Sequence, residues 1–311
     1  MTFPIAGVNI APLYLIGVGF VVGLLGGFFG VGGSFLAGPA LFAAGVPMNF
    51  VVGTDLAHIV GKSIVAARKH RALGNIDIKL GAIMVLGTIG GVEAGAQVIQ
   101  YLKRTSHIDW VVGPTFIVVL VGIASFMAWE SFSTLRKQRH QPQPQEPAVG
   151  ERPSTREHSA GDFIARAVHR ISLPPHVSLP VSGIARISVW AIVFVAFVGG
   201  FFSGFLGGGA GYIRMPCLIY LLGIPTHIAV GTDLFEIIIS AGYGTVSHAL
   251  KGNVDILIAL VMHTGAAIGA QIGATLTQYF VGLRIRMAFI PLPLIGAAML
   301  LHSLLTGHPH K

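Results

Sequence analysis

The chain has 311 residues, 53% of them hydrophobic and only 10% charged, with 42 glycines and a mean hydropathy of +0.76. An ordinary soluble domain carries roughly 25% charged residues, so this composition excludes a soluble enzyme or binding module and defines an integral membrane protein. The net charge of +8 sits in loops between apolar runs without a nucleic-acid recognition motif, which fits a positive-inside distribution, and the single cysteine, Cys217, excludes internal disulfides and cysteine metal clusters.

Apolar runs long enough to cross a bilayer, which takes about 20 residues, cover 13–44, 80–99, 111–129, 189–222 and 256–280. The first is too long and lacks the basic start of a cleaved signal peptide, and it has a copy at 189–222. Taken as one straight helix, residues 11–44 would measure about 51 Å, against a hydrocarbon core of about 30 Å. The middle of that run reads GGFFGVGG (Gly26 to Gly33), with Ser34 and Pro39 beyond; its copy reads GFLGGGAG (Gly204 to Gly211), with Pro216 beyond. Glycines this dense predict a helix break, and unwound backbone at membrane depth is tolerated only inside protein or along a cavity. The alternative is that these glycines let helices pack closely.

Residues 49–67 and 226–249 are less apolar. They hold Asp55, His58 and Lys62 in the first and Asp233, Glu236 and His248 in the second, which makes them the candidate working helices. Each is followed by a polar turn, GNID (Gly74 to Asp77) or GNVD (Gly252 to Asp255), whose aspartate is placed to cap the next helix. Gly91 and Gly95, and Gly269 and Gly273, recur at i, i+4 spacing, so that face is expected to pack on a neighbour.

These matches are systematic. VGTDL at Val52 to Leu56 returns at Val230 to Leu234, and the same offset of 178 residues pairs Pro47 with Pro225, His70 with His248, Asn75 with Asn253 and Asp77 with Asp255. One register held without gaps indicates two copies of one unit. The expected architecture is an all-α integral membrane protein of two homologous repeats, each of about four hydrophobic segments with the first broken by glycines. Residues 1–135 form membrane repeat 1, 136–183 a polar cytoplasmic linker and 184–311 membrane repeat 2. The linker composition cannot bury a core; residues 162–171 suit either a basic amphipathic helix on the membrane surface or a disordered tether. If each first run crosses once, the repeats are parallel. If it folds into a hairpin at its glycines, the repeats are inverted.

An ionisable group inside the bilayer costs at least about 2.5–3.5 kcal/mol, so Asp55 and Asp233 need a reason to be there. They either cap broken helices or act as coupling carboxylates for a proton or another ion. A small anion at the same depth needs donors and positive potential. Backbone amides at Gly30, Gly32, Gly33, Ser34, Gly208, Gly209, Gly211 and Tyr212 are candidate donors, joined by Thr54, Thr232 and Arg214. Arg214 and Lys62 occur in one copy each, facing Leu36 and Ser240 in the repeat alignment; either binds an anion or neutralises a carboxylate. Lys62, two turns from Asp55 on one helix face, suits neutralisation, and Arg214 suits snorkelling equally well. His58 and Glu236 are equivalent positions three residues beyond their aspartates, but ligand sets that differ between copies argue against a metal site, and no cofactor is indicated. His263 reads as an interior polar residue. HExxH and GxSxG do not occur, which argues against an intramembrane enzyme. A cation or metal carrier using the buried carboxylates is the main rival.

GGFFGVGGSFLAGPAL followed by GVPMNFVVGTDL, and GFLGGGAGYIRMPCL followed by GIPTHIAVGTDL, resemble the TauE/SafE family of sulfite-exporter-like permeases. The resemblance spans both hydrophobic halves and omits the linker. It implies a multi-pass cell-membrane protein, in the inner membrane if bacterial, and a secondary transporter of small, often sulfur-containing anions such as sulfite, sulfonates or thiosulfate. Its partners would be the anion, the bilayer and a coupling ion or proton; a homo-oligomer stays open.

Overall fold

The computed structural model describes residues 1–105, 107–139, 173–207, 211–280 and 282–306. In chain order the helices are α1 (Pro12–Phe29), α2 (Ser34–Ala43), α3 (Met48–Ala72), α4 (Ile78–Arg104), α5 (Ile108–Arg139), α6 (Val189–Leu206) and α7 (Gly211–Pro216). A π turn at Cys217–Leu221 extends α7 before α8 (Thr226–Leu250), α9 (Ile256–Leu276), α10 (Gly282–Phe289) and α11 (Pro291–Thr306). Among the described residues, seven helical stretches are long and apolar enough to cross a membrane: Pro12–Phe29, Met48–Ala72, Ile78–Arg104, Trp110–Arg136, Val189–Leu206, Ile256–Tyr279 and Leu283–Thr306. The 25-residue α8, which carries Asp233 and Glu236, lies among them with much of its length buried.

The first apolar run breaks where its glycines cluster. Gly30, Gly32 and Gly33 have φ of 74°, 70° and 75°, a left-handed backbone that a side chain rarely adopts, and α1 ends there. The chain then reverses: Gly33 lies against Val22, and the Tyr14 hydroxyl near the start of α1 donates to the Ala40 carbonyl of α2 at 2.9 Å. Thus α1 and α2 form a helical hairpin, the second of the two alternatives for that run. In the other half, α6 ends at Gly207 with φ of 84° and α7 starts at Gly211.

The predicted small-residue faces are used for close packing. Gly87, Gly91 and Gly95 of α4 press on the backbone of α6 at Val193, Phe197 and Phe201, and Gly265, Gly269 and Gly273 of α9 press on α1 at Ile16, Phe20 and Leu24. A Cβ at any of these glycines would run into a backbone carbonyl. Each first helix therefore packs on a helix from the other half of the chain, which only a residue without a side chain permits.

The turn aspartates cap as expected. Asp77 Oδ1 accepts from the Leu80 N–H at 3.1 Å, and Asp255 Oδ1 accepts from Leu257 and Ile258. Their second oxygens accept from Ser182 Oγ at 2.7 Å and from the Ala6 N–H at 3.0 Å. Those donors belong to segments absent from the all-helical expectation: β1 (Thr2–Phe3) with β2 (Val8–Asn9), and β3 (His176–Leu179) with β4 (Ile184–Ser188), two short antiparallel hairpins. Two- to five-residue strands leave too little periodicity to read. The hairpins sit ahead of α1 and α6 and cover the ends of α9 and α4. Of the expected 136–183 linker, 136–139 continue α5 and 173–183 enter the second hairpin; the amphipathic segment expected at 162–171 lies outside the described residues.

Candidate functional site

The two working helices, α3 and α8, run antiparallel through the centre. Gly53 near the start of α3 rests on Asn253 just beyond α8, and Gly231 near the start of α8 rests on Asn75 just beyond α3. The same crossing explains the threonines: Thr54 Oγ1 accepts from the Asp255 N–H and Thr232 Oγ1 from the Asp77 N–H, both at 2.9 Å. Both hydroxyls are thus occupied in holding a helix against the turn opposite. Replacing Thr232 with valine orphans a buried N–H and is expected to cost about 1–3 kcal/mol. Thermal unfolding of the purified variant checks this, and an unchanged midpoint would remove the strut role.

The glycine breaks meet at this centre. A Cβ on Gly30 would lie 2.6 Å from Val230 Cα in the second VGTDL motif, and one on Gly207 would lie 2.9 Å from Val52 Cα in the first. A Cβ on Gly211 would lie 2.6 Å from Val31 Cα of the opposite break and 2.7 Å from Asp233 Oδ2. The loop backbone can approach the aspartate only because no side chain intervenes. Ser34 opens α2, while Gly208 and Gly209 lie outside the described residues.

Around this meeting point is a buried charged cluster. The guanidinium of Arg214 on α7 bridges two carboxylates of α8, with Nε donating to Asp233 Oδ1 at 2.5 Å and Nη1 paired with Glu236 Oε2 at 2.5 Å. Ser240 Oγ donates to Glu236 Oε2 at 3.2 Å. Across the α3 crossing, His58 Nδ1 lies 3.3 Å from Asp55 Oδ1 and 3.5 Å from Lys62 Nζ. One imidazole nitrogen cannot both donate to a carboxylate and accept from an ammonium, so the tautomer selects which contact is a hydrogen bond. His263 of α9 packs against Gly61, and the Tyr212 ring stacks on Phe116 at 6.1 Å.

All of these ionic side chains are shut off from water: Arg214, Asp233 and Glu236 are 0% exposed, Asp55 and His58 1%, and Lys62 2%. Several polar atoms here are buried without a hydrogen-bond partner: Arg214 Nη1 and Nη2, Asp233 Oδ2, Glu236 Oε1, His58 Nε2 and Tyr212 Oη. Buried charge on this scale is a poor way to stabilise a fold, since desolvation offsets most of the Coulombic gain. Among the described residues, no three His, Cys, Asp or Glu side chains converge as a metal site would require.

The structure brings together Asp233, Gly211 and Arg214, sets Gly30 against Val230 and pairs Asp55 with His58 on α3; all but Val230 were picked from sequence. It resolves Arg214 as a partner of carboxylates, one of the uses considered for it, and not as a snorkelling residue. Glu236 as the second partner of Arg214 was missed: the three-residue step from Asp233 placed both on one face, but nothing linked that face to residue 214. Also missed was a second buried ion pair, Arg286 Nη1 to Glu130 Oε1 at 3.7 Å, with Arg286 lying over the Tyr220 ring at 5.7 Å.

Interrupted helices converging on buried ionisable groups between membrane-spanning helices define the class of membrane transporters. The sequence profile of the family described as sulfite exporter TauE/SafE matches residues 15–300, so the chain belongs to that family of multi-pass membrane transporters. It is 26% identical over 272 residues to the probable membrane transporter protein YunE of Bacillus subtilis, covering 85% of this chain and 88% of that one. It is likewise 26% identical over 283 residues to the probable membrane transporter protein MJ0441 of Methanocaldococcus jannaschii, covering 86% of each. A shorter stretch of 111 residues, 34% of this chain and 26% of the other, is 26% identical to the Sulfite exporter TauE/SafE family protein 6 of Arabidopsis thaliana. No solved structure matches.

Proposed function

We propose that the chain is a secondary transporter that moves small, sulfur-containing anions (sulfite, sulfonates, thiosulfate or related organic anions) across the cell membrane, driven by a proton or ion gradient. The observation that carries this reading is the buried cation Arg214, held between Asp233 and Glu236 beside Gly211 of the second break, with Lys62 buried near Asp55 and His58 on α3. An anion at this depth needs positive charge and donors, and Gly30, Gly32, Gly33, Ser34, Gly211 and Tyr212 are the candidate cradle, with Gly208 and Gly209 outside the described residues. Asp55 and Asp233 are the coupling carboxylates. Two halves offset by 178 residues, with α3 antiparallel to α8, support an origin as inverted copies, an arrangement that suits access alternating between two sides. The closed cluster corresponds to an occluded state.

Three carboxylates against two cations also favour a second reading, a cation or metal carrier. Counterflow in proteoliposomes with sulfite, a sulfonate, sulfate and divalent metals separates the two: metal flux without oxyanion flux eliminates the anion reading. Within that reading, Asp55→Asn and Asp233→Asn are each expected to lower gradient-driven accumulation at least about tenfold, a coupling loss of about 1.4 kcal/mol, while slower exchange persists. Accumulation at the native level would remove their coupling role.

A further inference from the structure

One guanidinium between two carboxylates leaves the Arg214 site one negative charge in excess, at 0% exposure for all three residues. Lys62 beside Asp55 and His58 adds one charge of each sign and leaves the excess standing. An uncompensated charge in a site closed to water is already costly, so the site cannot accept a second negative charge unless a proton enters with it.

The two contacts of Arg214 are unequal. Asp233 takes an aligned hydrogen bond from Nε, whereas Glu236 Oε2 lies 2.5 Å from Nη1 but off the line of its N–H bonds, and Nη2 is buried without a hydrogen-bonded acceptor. The planar fork thus has one end fixed by Asp233 and the other with donors to spare, a geometry that matches two oxygens of an oxyanion. Tyr212 Oη, buried without a hydrogen-bond partner, lies on the same short helix.

We infer that Arg214 is the ligand for the transported oxyanion and that Glu236 and the anion compete for it, so that each anion bound brings one proton onto Glu236. This rests on the anion-transport reading above. The step balances: a proton from the aqueous phase adds to a Glu236 carboxylate oxygen, the pair with Nη1 breaks, and two anion oxygens accept from Nη1 and Nη2. Nothing is oxidised or reduced. Asp233 keeps its bond to Nε throughout, so its part in coupling is to hold Arg214 in place. The repeat alignment sharpens the assignment, because Asp233 has a counterpart in Asp55 while Glu236 is replaced by His58 and Arg214 by Leu36.

Among the described residues, few other titratable or charged groups lie on the elements packed around this site. They are Asp55, His58 and Lys62 on α3, His263 on α9, Tyr212 on α7 and Cys217 in the π turn. On α4, Glu93 is engaged by Ser247, Tyr243 and Lys251 further along α8. Helix α8 itself adds His227 and His248, the latter bonded to the Gly204 carbonyl at 2.9 Å. Tyr14 on α1 donates to Ala40, α6 carries no ionisable side chain, and α10 carries Arg284 and Arg286, the latter paired with Glu130.

The test is calorimetry on the purified full-length protein with ethanesulfonate and thiosulfate as probes, in buffers of different ionisation heat, so that protons taken up per anion are counted. Native protein is expected to take up about one proton per anion, with affinity falling about tenfold per pH unit once Glu236 is ionised. Glu236→Gln should bind with no proton uptake and a flat pH profile. Arg214→Lys, which keeps the charge but loses the fork, should bind at least about tenfold more weakly. Native protein that binds these anions without proton uptake overturns this inference and leaves the transport reading intact. So does an E236Q variant that still takes up a proton, or an R214K variant that binds as tightly as the native chain. If native protein binds neither probe and proteoliposomes carry no oxyanion, the transport reading fails with it.

Discussion

Replacing Arg214 with methionine is expected to destabilise the protein by about 3–5 kcal/mol, the range for stranding a buried charge by removing its partner. Methionine fills much of the space but leaves Asp233 and Glu236 side by side in a site shut off from solvent. Neutralising both acids as well, in R214M/D233N/E236Q, should recover most of that loss, because desolvation of the charges drives it and not lost packing. Thermal unfolding in detergent reads both variants. A single variant within about 1 kcal/mol of native would show that Arg214 is not what neutralises the α8 carboxylates.

The second large effect is steric. Gly91→Ala puts a methyl group into the Phe197 carbonyl and the Phe201 amide of α6, both backbone atoms that cannot rotate away. Overpacking of this kind costs about 1–3 kcal/mol, and Gly269→Ala, against Phe20 of α1, should cost a similar amount. The two contacts lie on opposite helix pairs and share no neighbour, so the double variant should lose close to the sum. Gly17→Ala and Gly122→Ala, on α1 and α5, meet nothing within 4 Å and should be neutral or better by up to about 1 kcal/mol from helix propensity. Equal effects at packed and open glycines would mean that helix propensity, and not close approach, governs these positions.

Much of the site was legible before any coordinates. Asp55 and Asp233 stood out because charge is expensive in lipid, and the breaks at Gly30 to Gly33 and after Leu206 follow from glycine density in runs too long for one crossing. The caps by Asp77 and Asp255 were visible as polar turns ahead of apolar runs. Arg214 was visible as a cation near the second break but not its task, since partner choice depends on where α7 lies against α8, which spacing along one chain does not encode. Thr54 and Thr232 read as candidate donors beside the glycine amides; in the structure their hydroxyl oxygens each accept a backbone N–H from the opposite turn. The short strands escaped because pairs of two to five residues have no period.

The sequence alone determined that this protein lives in a bilayer, that VGTDL and residues around it recur at an offset of 178, and where its helices break, because solvation and backbone sterics act locally and leave their pattern in residue order. Only the tertiary structure decided that α1 and α2 fold back on each other, that each first helix packs on the other half's glycine face, and that Arg214 sits between Asp233 and Glu236. Those are contacts between distant segments, set by which surfaces exclude water and lipid together.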